Sequence, residues 1–210
     1  MAIPELITVF VALFVVIDPI GMTPLFVALT AGMETRRRRM IAVRACVTAF
    51  GLLTVFGLFG DAVLEFIGIS MPAFRIAGGI LLLLTAFDML FERRAARRQG
   101  QAQEEDLTDD PSVFPLAMPL IAGPGAMATM VLITSDPSID WTGMLAIHLV
   151  MGAVTAVVLI LFLFAGILER VLGPTGINLV TRLFGMLLAA LSIQFILDGL
   201  QEYASFLGIG

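Results

Sequence analysis

Six long apolar runs confine this chain to a narrow set of folds. They cover residues 3–31, 41–59, 72–91, 113–134, 143–168 and 179–200. Each is near or above the ~20 residues a helix needs to cross ~30 Å of hydrocarbon. Hydrocarbon offers no hydrogen-bonding partner, so only helices and closed barrels can span it. Barrel strands run ~9–11 residues with alternating polarity, and none of these runs alternates. The expected class is an all-α integral membrane protein with six transmembrane helices. Composition agrees: 59% of residues are hydrophobic and 14% charged, against about 45–50% and 25% in soluble domains. No basic stretch precedes the first run, so it is expected to remain as a span rather than act as a cleaved leader.

Charge then sets the expected orientation. All 12 basic residues are arginine. Arg36, Arg37, Arg38, Arg39 and Arg44 flank the first connection; Arg93, Arg94, Arg97 and Arg98 fill the third; Arg170 lies in the fifth. The second connection (residues 60–71), the fourth (135–142) and both chain ends carry Asp61, Glu65, Asp136, Asp140, Glu5 and Glu202 instead. Cytoplasmic loops hold the arginine excess, which places the odd connections in the cytoplasm and both termini outside. Topology thus accounts for the arginines, and no nucleic-acid partner is expected. The lone Cys46 excludes an internal disulfide.

Two of the runs are interrupted. The first contains Val16-Ile17-Asp18-Pro19-Ile20-Gly21-Met22-Thr23-Pro24, the fourth Pro119-Leu120-Ile121-Ala122-Gly123-Pro124-Gly125-Ala126. Proline removes a backbone donor and clashes with the preceding turn. A broken helix leaves N–H groups at one half-helix start and C=O groups at the other half's end, and these must face protein or a water-filled cavity. The partly positive N-terminal end suits a carboxylate; the carbonyl end suits an ammonium or a cation. The alternative is that the prolines only kink the helices. Asp18 lies about 14 residues past Pro4, hence ~20 Å along a helix. A carboxylate at membrane mid-depth costs at least ~2.5 kcal/mol. Asp before Pro also spells an N-cap, so capping and ligand contact both stand.

The halves echo each other. Pro19 and Pro124 sit 105 residues apart, and Arg75-x-x-Gly78 is matched by Arg182-x-x-Gly185, 107 residues later. Three crossings per half would make the second half enter from the opposite side, giving two inverted three-helix repeats with the first and fourth helices broken. The expected organisation is a first repeat over residues 1–92, a cytoplasmic linker over 93–112 and a second repeat over 113–210. Paired breaks in such repeats are a pointer to a transporter's binding site. Residues 94–110 run from basic to acidic and read as a solvated linker.

Other polar groups are candidates for coupling or gating: Arg75, Arg182, Gln194 and Asp88. The arginines could snorkel to the interface or pair with carboxylates; Asp88 could sit at the interface; Ser192, Gln194 and Asp198 could line a cavity. His148 reads more readily as a hydrogen-bonded core residue than as a proton relay. No phosphate loop, metal-ligand cluster or nucleophile–base pair is present, so no enzyme, cofactor or metal site is expected.

Three stretches carry a family resemblance: residues 18–26 (DPIGMTPLF), residues 114–126 (FPLAMPLIAGPGA) and residues 194–200 (QFILDGL). Together they resemble the MarC family of inner-membrane proteins, and the likeness spans essentially the whole chain. The resemblance implies six membrane helices in a bacterial inner membrane and transport of small neutral amino acids of the glycine and alanine type, coupled to H+ or Na+. It places substrate at the breaks, on Asp18, Pro19, Gly21, Met22, Thr23, Gly123, Pro124, Gly125 and Ala126. Met22 stands where many members carry Asn. The partners expected are the amino acid, the lipid bilayer and a second copy of the chain. A non-transporting scaffold or a passive channel are the alternative classes.

Overall fold

The computed structural model describes residues 2–91, 110–136 and 138–206. The described residues form helices and no strands: α1 (Ile3–Ile17), α2 (Pro19–Leu29), α3 (Thr35–Ile67), α4 (Met71–Leu90), an irregular wide-turned segment α5 (Ser112–Ile121), α6 (Pro124–Thr134), α7 (Trp141–Leu163) and α8 (Ala165–Phe206). Five segments are long and apolar enough to cross a membrane: Ile3–Leu29, Thr35–Ile67, Met71–Leu90, Trp141–Leu163 and Ala165–Ser205. Counting the bent pair α5 and α6 as one span gives six. Most of the expected linker, including Arg93, Arg94, Arg97 and Arg98, lies outside the described residues.

Helix boundaries depart from the apolar runs where polar turns continue a helix. The connection expected over residues 60–71 shrinks to 68–70, because α3 runs on to Ile67 and carries Asp61 and Glu65. Gly68 ends it in the left-handed conformation at φ 81°, and the Ile69 amide closes back on the Leu64 carbonyl at 2.9 Å. At its other end α3 begins at Thr35, so the arginine run is helical rather than a loop. Arginine is a good helix former, and hydropathy alone cannot see such a turn. The fifth run breaks at Phe164, and α8 is divided at Gly173, whose φ of 60° and ψ of 176° are open only to glycine. Elsewhere capping sets the starts: Ser70 accepts the Ala73 amide at 3.4 Å, and Asp140 accepts that of Gly143 at 2.8 Å.

The core draws on every helix, around Leu13, Met22, Phe26, Leu53, Leu82, Met89, Leu116, Met130, Ile147, Phe162 and Leu188. Phe26 stacks on Phe162 at 4.3 Å between ring centres, and the Arg38 guanidinium lies 5.1 Å over the Phe26 ring. Large apolar side chains such as Phe66, Leu149 and Val171 face outward, as lipid contact requires. α4 and α8 pack along each other more extensively than any other pair. Their seam is made of glycines. A Cβ on Gly79 would meet Ile196 at 2.7 Å and the Ser192 carbonyl at 2.8 Å; one on Gly185 would meet Met89 at 3.0 Å. Small residues let membrane helices approach and gain dispersion energy.

Chain direction sorts the ends of the bundle. The ends of α2, α4 and α7 and the starts of α3 and α5 share one side, with Arg36–Arg39, Arg44 and Arg170. Arg44 pairs there with Asp110 at 2.7 Å. Gly79→Ala is expected to lower stability by about 1–3 kcal/mol, since a backbone oxygen cannot yield. Gly51→Ala in α3, whose Cβ would meet nothing within 4 Å, is expected to raise it by up to about 1 kcal/mol. Thermal unfolding of the two variants in detergent measures the contrast.

Candidate functional site

The two proline interruptions have become different objects. At the first, the backbone leaves the helix for one residue. Asp18 takes φ 56° and ψ 64°, the left-handed conformation that Asp tolerates better than most residues. Its amide still closes α1 on the Phe14 carbonyl at 3.0 Å, while its carboxylate Oδ1 accepts the Gly21 amide at 3.1 Å and caps α2. One residue thus ends one helix and starts the next. Asp18 is 0% exposed, as are Met22 and Thr23; Pro19 is buried and Gly21 partly so. A side chain at Gly21 would strike the Asp18 carboxylate and come within 2.7 Å of the Thr181 hydroxyl of α8. Glycine here is a packing requirement.

The second interruption is wider. Between Ser112 and Ala122 the chain makes wide turns, with the Leu116 amide on the Pro111 carbonyl at 3.2 Å and the Ala122 amide on the Ala117 carbonyl at 2.8 Å. Phe114 and Met118 are extended, and Pro115 and Pro119 follow cis peptide bonds. The irregularity therefore reaches back well before the Pro119–Ala126 stretch that sequence marks. α6 then starts at Pro124, bent 56° from α5. No side chain caps it, and its first helical bond runs from Met127 to the Gly123 carbonyl at 3.0 Å. The Gly125 and Ala126 amides at its head have no partner within the helix.

A cleft of about 150 Å³ opens at that head. Pro119, Leu120, Ile121 and Gly123–Ala126 form one wall; Thr85 and Asp88 of α4 form the other, with Val16 of α1 between. Gly125 allows the close approach: a Cβ there would meet Leu82 at 3.0 Å and Val16 at 3.4 Å. One wall is a helix start with partial positive charge. The other presents a carboxyl group. A cavity of this size elsewhere holds a benzene molecule, a six-atom ligand comparable to glycine or alanine.

A larger cavity of about 760 Å³ lies toward the end of the bundle away from Arg36–Arg39. Arg75, Phe195 and Asp198 line it from α4 and α8; Glu5, Val9, Leu132 and Asp136 are among the residues facing them. Arg75 pairs with Glu202 at 3.0 Å rather than snorkelling alone. Gln194 is exposed and donates to Asp198 at 2.7 Å. Arg182 is exposed near the start of the spanning part of α8. The structure thus gathers Gly123, Pro124, Gly125, Ala126 and Asp88 into one cleft, puts Arg75 in another and leaves Asp18–Thr23 in the packed interior.

Sequence reasoning missed Thr85, Val16 and Thr181. Thr85 was findable, since it lies three residues before Asp88 and so on the same helix face. Nothing in the sequence marks Thr181 as a neighbour of the first break.

These features define a multi-pass helical integral membrane protein with a small polar cleft at a bent, uncapped helix junction. The family model described as MarC family integral membrane protein matches residues 3–204, and the chain belongs to that family. It is similar to a UPF0056 membrane protein of Aquifex aeolicus, 35% identical over 92% of this chain and 91% of that one. A UPF0056 membrane protein of Methanocaldococcus jannaschii is 39% identical over 91% and 84%. The UPF0056 membrane protein YvbG of Bacillus subtilis is 33% identical over 93% and 94%. No solved structure matches the chain.

Asp18→Ala is expected to cost about 1–3 kcal/mol, because it removes the cap and leaves a β-carbon in the left-handed region without local hydrogen bonding. Asp18→Asn keeps both capacities and is expected to retain most of that stability. Unfolding midpoints of wild type, Asn and Ala variants should fall in that order.

Proposed function

We propose that this protein is a secondary transporter for small neutral amino acids of the glycine and alanine type, working by alternating access. The single observation that carries the reading is the 150 Å³ cleft between the uncapped head of α6 and the Asp88 wall of α4. A zwitterion fits such a site: its carboxylate meets the Gly125 and Ala126 amides, and its ammonium meets the carboxylate side. The small volume of the cleft leaves no room for a long side chain, which favours the smallest amino acids. The first break serves this site indirectly. By fixing the end of α1, Asp18 places Val16 in the cleft wall.

The reading takes the chain as two inverted repeats, α1–α4 and α5–α8. The packing supports it. Under that exchange α4 swaps with the spanning part of α8, α3 with α7, and the broken pair α1–α2 with α5–α6; α4 packs on α8, α3 on α7 and α1 on α6. Both matched glycines sit at close helix contacts, though with different neighbours: Gly78 packs on Leu132 of α6 and Gly185 on Met89 of α4. Both cavities lie between α4 and the α1–α6 wall, one toward each end of the bundle. Relative motion of those two groups would open one and close the other. With the arginine-bearing end in the cytoplasm, the small cleft lies toward the inner side and the large one toward the outer side. An ion gradient of H+ or Na+ supplies the driving force in this reading.

Glycine at about 100 times its Kd should raise the unfolding midpoint by on the order of 5–10 °C, through ~2.7 kcal/mol of binding linkage. Asp88→Asn, nearly isosteric, should abolish that shift and uptake into proteoliposomes while the unliganded protein keeps its midpoint. Glycine-independent melting across all small amino acids, with no uptake, rejects the reading in favour of a scaffold. Uptake without counterflow exchange favours a channel.

A further inference from the structure

The large cavity separates two walls, and Arg75 is the cation among its lining residues. One wall is the α4–α8 pair, which packs as a unit through its glycine seam. The facing wall is α1, the end of α6 and the turn leading to α7. Arg75 and its partner Glu202 both belong to the first wall, so their pair joins nothing across the gap. Carboxylates line both sides, and most already have work. Asp198 on α8 takes the Gln194 amide at 2.7 Å. Glu5 takes the Ala2 amide at 2.8 Å at the start of α1. Asp140 caps α7 through Oδ1 and takes the Thr142 hydroxyl at 2.8 Å on Oδ2. Asp136 differs. Ser138 donates its amide at 2.9 Å and its hydroxyl at 2.7 Å, both to Oδ1. Oδ2 is left for a donor from the cavity. These Ser138 bonds hold the Asp136 carboxyl below its usual range, and the charge of Arg75 across the gap adds to the effect.

We propose that Arg75 is the latch of this vestibule, paired with Glu202 on its own wall while the vestibule is open and with Asp136 on the facing wall when it closes. The proposal rests on the alternating-access reading. A guanidinium suits the task, because its charge is permanent and its planar fork can exchange one carboxylate for another without losing geometry. Neither pair is deeply buried, with Arg75 at 22% and Glu202 at 43% side-chain exposure. Such pairs are weak, as a latch that must reopen in every cycle requires. The two partners then act in opposite directions: Glu202 favours the open state, Asp136 the closed one.

The test uses the full chain in lipid nanodiscs with Cys46→Ala and a reporter, Ile133→Cys, on the vestibule wall. The rate of labelling by a charged maleimide reads the open fraction. Asp136→Asn should raise that rate about two- to fivefold, the range a partly exposed ion pair gives, whereas Arg75→Gln, which removes the pair of both states, should make the rate insensitive to changes at Asp136 and Glu202. Glu202→Gln should lower it by a similar factor. Exchanging the charges, Arg75→Asp with Asp136→Arg, should return the rate toward that of the reporter protein. Should Arg75→Gln fail to fold, the opposed shifts of Asp136→Asn and Glu202→Gln carry the test alone. An unchanged rate in Asp136→Asn, or a rise in Glu202→Gln, overturns the proposal and makes Arg75 a clip between α4 and α8. Labelling needs no substrate. A wild type that moves no amino acid sinks the transport reading, while the labelling pattern still decides the latch.

Discussion

Every backbone amide and carbonyl inside the bilayer needs a partner supplied by the protein, and the interruptions in this chain are answers to that demand. An unbroken helix meets it automatically. At Asp18 the chain departs for one residue and one side chain repairs the departure, accepting an amide that the helix start leaves open. At residues 112–123 the repair uses backbone, through wide turns closed over five residues, and leaves the head of α6 uncapped beside a cleft. The same physical debt is closed at one site and left open at the other. That asymmetry is why the proposed ligand site lies at the second junction rather than the first.

Glycine supports both answers for different reasons. Gly21 vacates the space that the Asp18 carboxylate and Thr181 occupy; Gly125 lets Leu82 and Val16 close on the head of α6. Gly79, Gly185 and Gly199 bring α4 and α8 into contact along their lengths. The seam packs those two helices tightly together, and both cavities lie against α4. In the proposed mechanism, a tight pair beside two loosely filled spaces is the mechanical basis for the change of access.

Much of this was legible in the residues. The long apolar runs announce helices, because length and the absence of alternation leave few other ways to satisfy a backbone in lipid. Gly123–Ala126 stand out through proline and glycine. What stayed hidden is what depends on neighbours from afar. Asp18 shows its cap in the letters, yet its depth of burial follows from α8 packing over it. Asp88 and Thr85 join the cleft only through the placement of α4 against α6. The polar first turns of α3 are invisible to a hydropathy reading, which registers what lipid tolerates and not how far a helix continues.

The unequal lengths of α3 and α4 carry a last implication. At 1.5 Å per residue, the 33 residues of α3 reach about 50 Å, whereas the 20 of α4 reach about 30 Å, close to the thickness of the hydrocarbon itself. Surplus turns let α3 stand in a thicker or thinner leaflet pair without stress. The shorter rod has no such reserve, so a thinner bilayer is met by tilting α4 and a thicker one by local thinning of the lipid around it. Acyl-chain length in the host membrane therefore presses on a helix that borders both cavities.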